Sequence, residues 1–351
     1  MLGAHQLPGS VGTVAWAGVP ARRTACLARC ANPVKERFCL MLSFSVVIPL
    51  YNKGQYIRAT IESVLVQTHR QFEVIVVDDG SSDDGSSIVA AIDDPRVRLI
   101  RQPNGGVSRA RNRGIDAATG DIVTFLDADD WYGPYYLETV AKLAGEHPEI
   151  AFFGCAYRRA LDFVPGDLAE PPPQPLPVEL QPNYYEVLCQ HRTGVHTNSV
   201  AIRRPQLVAM QPCFPEGEAH GEDQDLWFRL SEKHVLLYCS VPLVGYRIDV
   251  PGSLMTNRPA GMLPYFERLQ QRALSGQLQG AQRRSALRLV AHSHSTLARA
   301  YLESGDRREA VRQVFLGWRA CSQHWLISLL MVAGCSPQMA SRFRKWRGAR
   351  P

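Results

Sequence analysis

"FSVVIPLYNKGQYIRATIESVLVQTHRQFEVIVVDD", residues 44–79, holds two short apolar runs separated by an amphipathic stretch, and each run ends in polar residues. The runs 44–50 and 72–79 are rich in Val and Ile and lack polar alternation, which is the pattern of strands buried on both faces. Between them Ile57, Ile61, Val64 and Leu65 recur at helical spacing. Strand, helix and strand in this order make one unit of a parallel sheet.

The pattern repeats downstream. Helices are expected at 84–93, 107–118 and 134–146, and strands at 97–102 and 121–127. Such alternation predicts an α/β fold: a mainly parallel twisted sheet flanked by helices, with a Rossmann-like nucleotide-binding half. Ligands of these sheets lie beyond the carboxyl ends of the strands. The stretch 165–183, "PGDLAEPPPQPLPVELQPN", is too Pro-rich for a helix or central strand and reads as an exposed connection. Strands resume near 197–203 and 235–247. After about 260 the chain turns to Ala, Leu, Arg and Gln at helical period, and "STLARAYLESGDRREAVRQVFLGWRA" reads as two antiparallel helices joined at Ser304-Gly305-Asp306. A single such pair cannot stack into a solenoid and is expected to pack on the preceding domain. The division that follows is a disordered or over-extended segment 1–42, an α/β domain 43–255 and an α-helical C-terminal region 256–351 with a basic tail.

Composition narrows the function. The 351 residues, 45% of them hydrophobic, suffice for a buried core. The net charge of +6 divides into +4 over 1–42, −8 over 43–279 and +10 over 280–351. An acidic centre argues against nucleic acid as partner, since phosphate contacts need a cationic footprint. The basic end suits an acidic surface such as anionic lipid. Nine cysteines show no CxxC pair and no spacing shared with histidine, so neither a zinc site nor a disulfide framework is indicated, and the odd, scattered count suits a reducing compartment such as the cytoplasm. No uninterrupted apolar run reaches the roughly 18 residues a bilayer span needs. The stretch "HWLISLLMVAGC", followed by "RFRKWRGARP", fits an interfacial helix at the inner face of an anionic membrane or a buried helix with a solvated tail.

Carboxylates cluster where the sheet ends. In "VVDDGSSDD" Asp78 and Asp79 leave a buried strand at its ligand edge, and a helix N-cap would use one acid, not two. In "FLDADD" Asp127 and Asp129 share one side of an extended backbone, whereas Asp130 joins them only if the chain turns at Ala128. Like charges this close are unfavourable without a cation, and a hard divalent ion with phosphates completing its shell is the natural partner. In "GEDQDLWFRL" Glu222 and Asp223 open a helix whose Leu226, Trp227 and Leu230 form the buried stripe. There the helix dipole favours a carboxylate, as cap or as general base. Arg109 and Arg113 lie four apart on one helix face, which leaves Arg111 as the inward residue. Gly105-Gly106 reads as a flexible turn before that helix.

Five segments, "SVVIPLYNKGQYI", "SVLVQTHRQFEVIVVDDGSSDDG", "NGGVSRARNRGI", "GDIVTFLDADDW" and "GEDQDLWFRL", together resemble the family 2 glycosyltransferases of the GT-A fold, over residues 44–250. The resemblance implies an inverting hexosyl- or N-acetylhexosaminyl-transferase in cell-surface glycan or glycolipid synthesis, using a nucleotide sugar, UDP-linked, and a glycan or lipid-linked acceptor. It implies that Pro49, Tyr51 and Asp79 hold the nucleotide, with Arg111 close by. It makes Asp127, Ala128 and Asp129 the DxD motif, binding diphosphate through Mg²⁺ or Mn²⁺ with Asp130 as a further metal ligand, and Asp223 the general base. Trp131 would pack under the sugar, and Arg247 of "GYRID" matches a lid element, although Asp249 stands where relatives carry His or Ser. His196 and His220 fall on acceptor-side segments. Two rival readings are a non-catalytic nucleotide-sugar-binding or assembly subunit, and a nucleotidyltransferase, which would want an early Gly- and Arg-rich loop that "PLYNKGQYI" lacks.

Overall fold

The computed structural model describes residues 41–163, 168–190, 194–218, 220–250, 261–318, 323–336 and 338–339; the expectation for residues 1–40 and the "RFRKWRGARP" tail lie outside them. The two apolar runs form β1 (Phe44–Leu50) and β2 (Phe72–Asp78), joined through α1 (Gly54–Leu65). They pair in parallel, Leu50 opposite Asp78, so both strands deliver their polar ends to one edge. Next come α2 (Gly85–Ala90), β3 (Val97–Arg101), α3 (Val107–Ala117) and β4 (Ile122–Phe125). β3 pairs with β2 and β4 with β1, again parallel.

The second half adds antiparallel strands to the mainly parallel sheet that was expected. β5 (Trp131–Tyr132), β6 (Phe152–Ala160), β7 (Val178–Gln181), β8 (Val200–Arg203) and β9 (Leu236–Arg247) complete one sheet in the order β3-β2-β1-β4-β8-β6-β9-β5, with β7 also on β9. β8 runs antiparallel to both β4 and β6, and β9 is parallel only to β6. The sheet is therefore mixed. β7 also corrects the reading of 165–183 as connection alone: it pairs only with β9, so prolines can flank it without breaking an inner ladder. The strand expected over 121–127 stops at Phe125, which frees the following aspartates to turn.

Alternation along β1 fixes the two layers. Val46 and Ile48 face a cluster with Ile57 and Ile61 of α1 and Leu137 of α4 (Tyr136–Glu146). Val47 faces the other side, with Ala110 and Ile115 of α3 and Leu226, Trp227 and Leu230 of α7 (Glu222–Ser231). Two short helices, α5 (Tyr184–Cys189) and α6 (Arg204–Val208), precede α7. The C-terminal helices are α8 (Pro264–Leu274), α9 (Gly280–Glu303), α10 (Arg307–Leu316) and α11 (Gln323–Gly334). Ala286, Leu289 and Val290 of α9 join the second cluster, whereas its far end packs Ala298 and Leu302 against α10 and α11. The hairpin at 304–306 forms as expected, and Asp306 caps α10 by accepting from the Glu309 amide at 3.0 Å. No described helix is long and apolar enough to cross a membrane.

Candidate active site

The site grows from the carboxyl ends of β1, β2 and β4. At the first two, Pro49 is half-buried and Tyr51 exposes half its surface. Asp79 is 3% exposed, and its amide donates to the Leu50 carbonyl at 2.9 Å, which locks the two strand ends together. Its carboxylate accepts from Gln102 Nε2 at 2.7 Å and from the amides of Gly105 and Gly106 at 2.9 and 2.8 Å. The Gly-Gly turn, expected to be flexible, is thus pinned by Asp79, with Gly106 at φ 87°. Asp78 accepts from the Ser81 amide.

At the end of β4 the backbone turns rather than extends. The Asp130 amide donates to the Asp127 carbonyl at 3.1 Å, so Asp130, not Asp129, comes round beside Asp127. Asp129 points away to an ion pair with Lys53 at 2.8 Å. Asp130 is 2% exposed and accepts from the Arg247 amide at 2.6 Å and from Asn198 Nδ2. Burial first, then repulsion by Asp129 and Asp127, pushes its carboxyl well above the usual range. Asp127, Asp130 and His196 bring ligand atoms within 4.8 Å of one another. Two carboxylates and an imidazole whose ligand atoms converge fit a divalent cation. The three-aspartate set read from the sequence is therefore rearranged: a turn at Ala128 brings in Asp130, and His196 stands where Asp129 was expected.

Of residues 196–199 the sequence singled out His196 alone, and on the acceptor side rather than beside the aspartates. His196 caps a single 3₁₀ turn, Thr197–Ser199, with its ring against Tyr246 and Tyr157 at 4.3 and 5.4 Å. Burial lowers its pKa, which keeps the imidazole neutral and able to ligate. Asn198 accepts from the Asp127 amide at 2.9 Å while its Nδ2 donates to Asp130. Thr197 donates to Asp223 Oδ2 at 2.9 Å. Asp223 lies in the first turn of α7, as expected.

Arg111 is the inward residue of α3, 4% exposed, while Arg109 and Arg113 are exposed. It donates to Glu222 Oε1 at 2.6 Å and to Asp127 Oδ1 at 2.8 Å, above the Phe214 ring. Burial opposes its charge, but Asp127 and Glu222 outweigh that and raise its pKa. The same burial raises the Glu222 carboxyl, with Arg111 opposing. Arg247 donates to the Asp129 carbonyl at 2.9 Å, pairs with Asp162 and stacks over Tyr56 and Trp131. Trp131 is buried against Gly245, where a Cβ would fall 2.0 Å from the indole, so it forms the floor behind the aspartates. Among the described residues His220 does not belong to the cluster of possible metal ligands. Lys53, Thr197, Asn198 and Glu222 complete the site.

Known proteins of this shape share its first part. The family described as Glycosyl transferase family 2 matches residues 45–203. The chain carries a family 2 glycosyltransferase domain. It is 28% identical to the putative glycosyltransferase EpsH of Bacillus subtilis over 309 residues, 85% of this chain and 88% of that one. It is 47% identical to the uncharacterized glycosyltransferase YibD of Escherichia coli over 104 residues, 29% of this chain and 30% of that one. The domain aligns with S. aureus TarS 1-349, solved in complex with UDP-GlcNAc, at a TM-score of 0.62 and 19% identity, covering 81% of this chain and 83% of that one. The shared architecture is the GT-A fold.

Proposed function

We propose that the domain transfers a sugar from a nucleoside diphosphate sugar, UDP-linked, to an acceptor hydroxyl with inversion, in the synthesis of a cell-surface glycan or glycolipid. The observation that carries this reading is one short turn: Thr197 holds Asp223, and its neighbour Asn198 holds both Asp127 and Asp130. A base and a donor-binding cluster fixed through adjacent residues suit a reaction that joins two substrates in one displacement.

Pro49, Tyr51 and Asp79 form the nucleotide end, where the open Tyr51 ring offers a stacking face. Asp127, Asp130 and His196 would hold the divalent cation, which when bound neutralises charge that builds on the leaving diphosphate. Arg111 fixes the facing carboxylates of Asp127 and Glu222. Asp223 takes the acceptor proton as the hydroxyl attacks the anomeric carbon, and a single displacement inverts its configuration. A UDP donor is further supported by the UDP-GlcNAc bound to TarS. The work is placed at the inner face of the cell membrane, where the basic C-terminal end meets anionic lipid.

The test is nucleotide release from a panel of UDP- and GDP-sugars with Mn²⁺, Mg²⁺ or EDTA. We expect turnover of one UDP-sugar with Mn²⁺ or Mg²⁺. Asp223→Asn should lower kcat by about a hundredfold or more while UDP binding persists. If no nucleotide sugar is consumed under any condition, the reading is wrong. Undiminished turnover by Asp223→Asn removes the assigned base.

A further inference from the structure

α8 follows the sheet in sequence but lies along α7, the helix that carries Asp223, and three of its side chains on one face meet that helix and the loop before it. Tyr265 covers Gly221, the residue before α7, which sits at φ 75° and whose Cβ would fall 2.2 Å from the tyrosine ring. Arg268, three residues on, grips Glu218 with both terminal nitrogens at 2.6 and 2.8 Å, and its Nε donates to Asp225 Oδ1 at 2.8 Å. Arg272, at the next turn, lies 3.7 Å from Asp225 and donates to Glu232 at 2.8 Å.

One guanidinium thus ties position 218 to position 225 across the turn that contains Asp223. Glu218 is held from the other side too, since Ser108 of α3 donates to its carbonyl at 3.2 Å. Asp225 is 4% exposed and also accepts from Arg229 at 2.9 Å. A planar fork bound at two carboxylates fixes direction as well as distance, which a lysine cannot do. Among the described residues the Asp223 carboxylate accepts only from the Thr197 hydroxyl and the adjacent Gln224 amide, so its placement depends on the backbone that carries it.

We propose that Arg268 is a positioning residue for Asp223: the guanidinium of α8, anchored at Glu218 and Asp225, sets the backbone of residues 220–225 and thereby aims the base at the acceptor hydroxyl. This rests on the reading of Asp223 as the base. α8 is then a working part of the transfer site.

The test is a double-mutant cycle on the full chain, read as nucleotide release from the sugar donor that wild type consumes. Arg268→Gln should lower kcat roughly tenfold or more with the donor KM changed by less than about threefold, as for an interaction that aims a reacting group. Arg268→Lys should recover part of the rate, and it serves as the readable variant if Arg268→Gln lowers Tm. In the Asp223→Asn background Arg268→Gln should slow the enzyme no further, because a residue that acts through the base then has nothing to aim. Unchanged kcat, or two defects that multiply in full, overturns the proposal. If wild type consumes no donor, the proposed function fails, and amide exchange over residues 220–225 decides the brace alone. Faster exchange in Arg268→Gln supports it and unchanged protection overturns it.

Discussion

Three aspartates within four positions, Asp127, Asp129 and Asp130, have three different fates, and backbone geometry assigns them. Extended chain would put Asp127 and Asp129 on one side, but the strand ends at Phe125 and the turn at Ala128 exchanges Asp129 for Asp130. Asp129 already has a cation in Lys53, whereas Asp130 has burial and two like charges. A divalent ion should therefore stabilise the nucleotide-free protein through Asp127, Asp130 and His196. At about a hundredfold excess over Kd the gain is about 2.7 kcal/mol, read as a rise in Tm with Mn²⁺. Asp130→Asn and His196→Ala are each expected to abolish the rise, and Asp129→Asn to retain most of it. The reverse pattern would restore the ligand pair that extended geometry selects. Asp79, Asp127 and Asp223 were legible because each follows an apolar run or opens an amphipathic helix, so local pattern announces it. Thr197 and Asn198 were not, and His196 stood out only as an acceptor-side residue, because "HTNS" has no periodicity of its own and comes beside the aspartates only when β8 pairs with β4.

At the scale of elements, close approach decides matters that propensity alone would reverse. α3 crosses β1 at Gly114, where an added Cβ would fall 2.2 Å from Val47 Cγ1 and 3.2 Å from its Cβ. Glycine within a helix costs about 0.8–1 kcal/mol relative to alanine, so Gly114→Ala gains on that count. Forcing a methyl into a packed helix–strand contact costs about 1–3 kcal/mol, and Val47 on a buried inner strand has no room to yield. Gly114→Ala is expected to lower stability by up to about 2 kcal/mol, measured as a lower urea midpoint at unchanged slope. A raised midpoint would mean that α3 can lift off the sheet freely. The first half of the fold was readable for a related reason. Parallel strands buried on both faces leave unbroken Val and Ile runs with amphipathic helices between them. In the second half the signal fades, because β7 exposes Val178, Glu179 and Leu180 and sits among prolines that mark an edge as readily as a loop.

The whole molecule is polarised, an acidic sheet domain leading to a basic helical end. Residues 307–351 contain nine Lys and Arg against Glu309 alone. Large apolar side chains are also exposed there: Phe315 at 71% and Trp318 at 56%, with Leu326 and Leu330 on α11 at 49% and 62%. α11 is too short to cross a bilayer, and its Met331 and Val332 are committed to the contact with α9 and α10. Exposed apolar groups in a stretch of sequence rich in cations suit the surface of an anionic bilayer, where each basic residue contributes about 1 kcal/mol and the apolar groups enter the interface. The full chain should therefore sediment with vesicles containing phosphatidylglycerol at about 0.1 M salt, where the Debye length is about 10 Å, and be released near 1 M, where it is about 3 Å. Phosphatidylcholine vesicles should retain little protein. Phe315→Ser with Leu330→Ser should weaken retention on the anionic vesicles without lowering Tm, since both side chains already face solvent. Equal retention on both lipids would show apolar adsorption without charge recognition, and no retention on either would separate the basic end from membranes altogether. The brace at Arg268 gives this polarity a mechanical consequence: a surface bound through α10 and α11 is linked by α9 to the helix that holds the turn of Asp223.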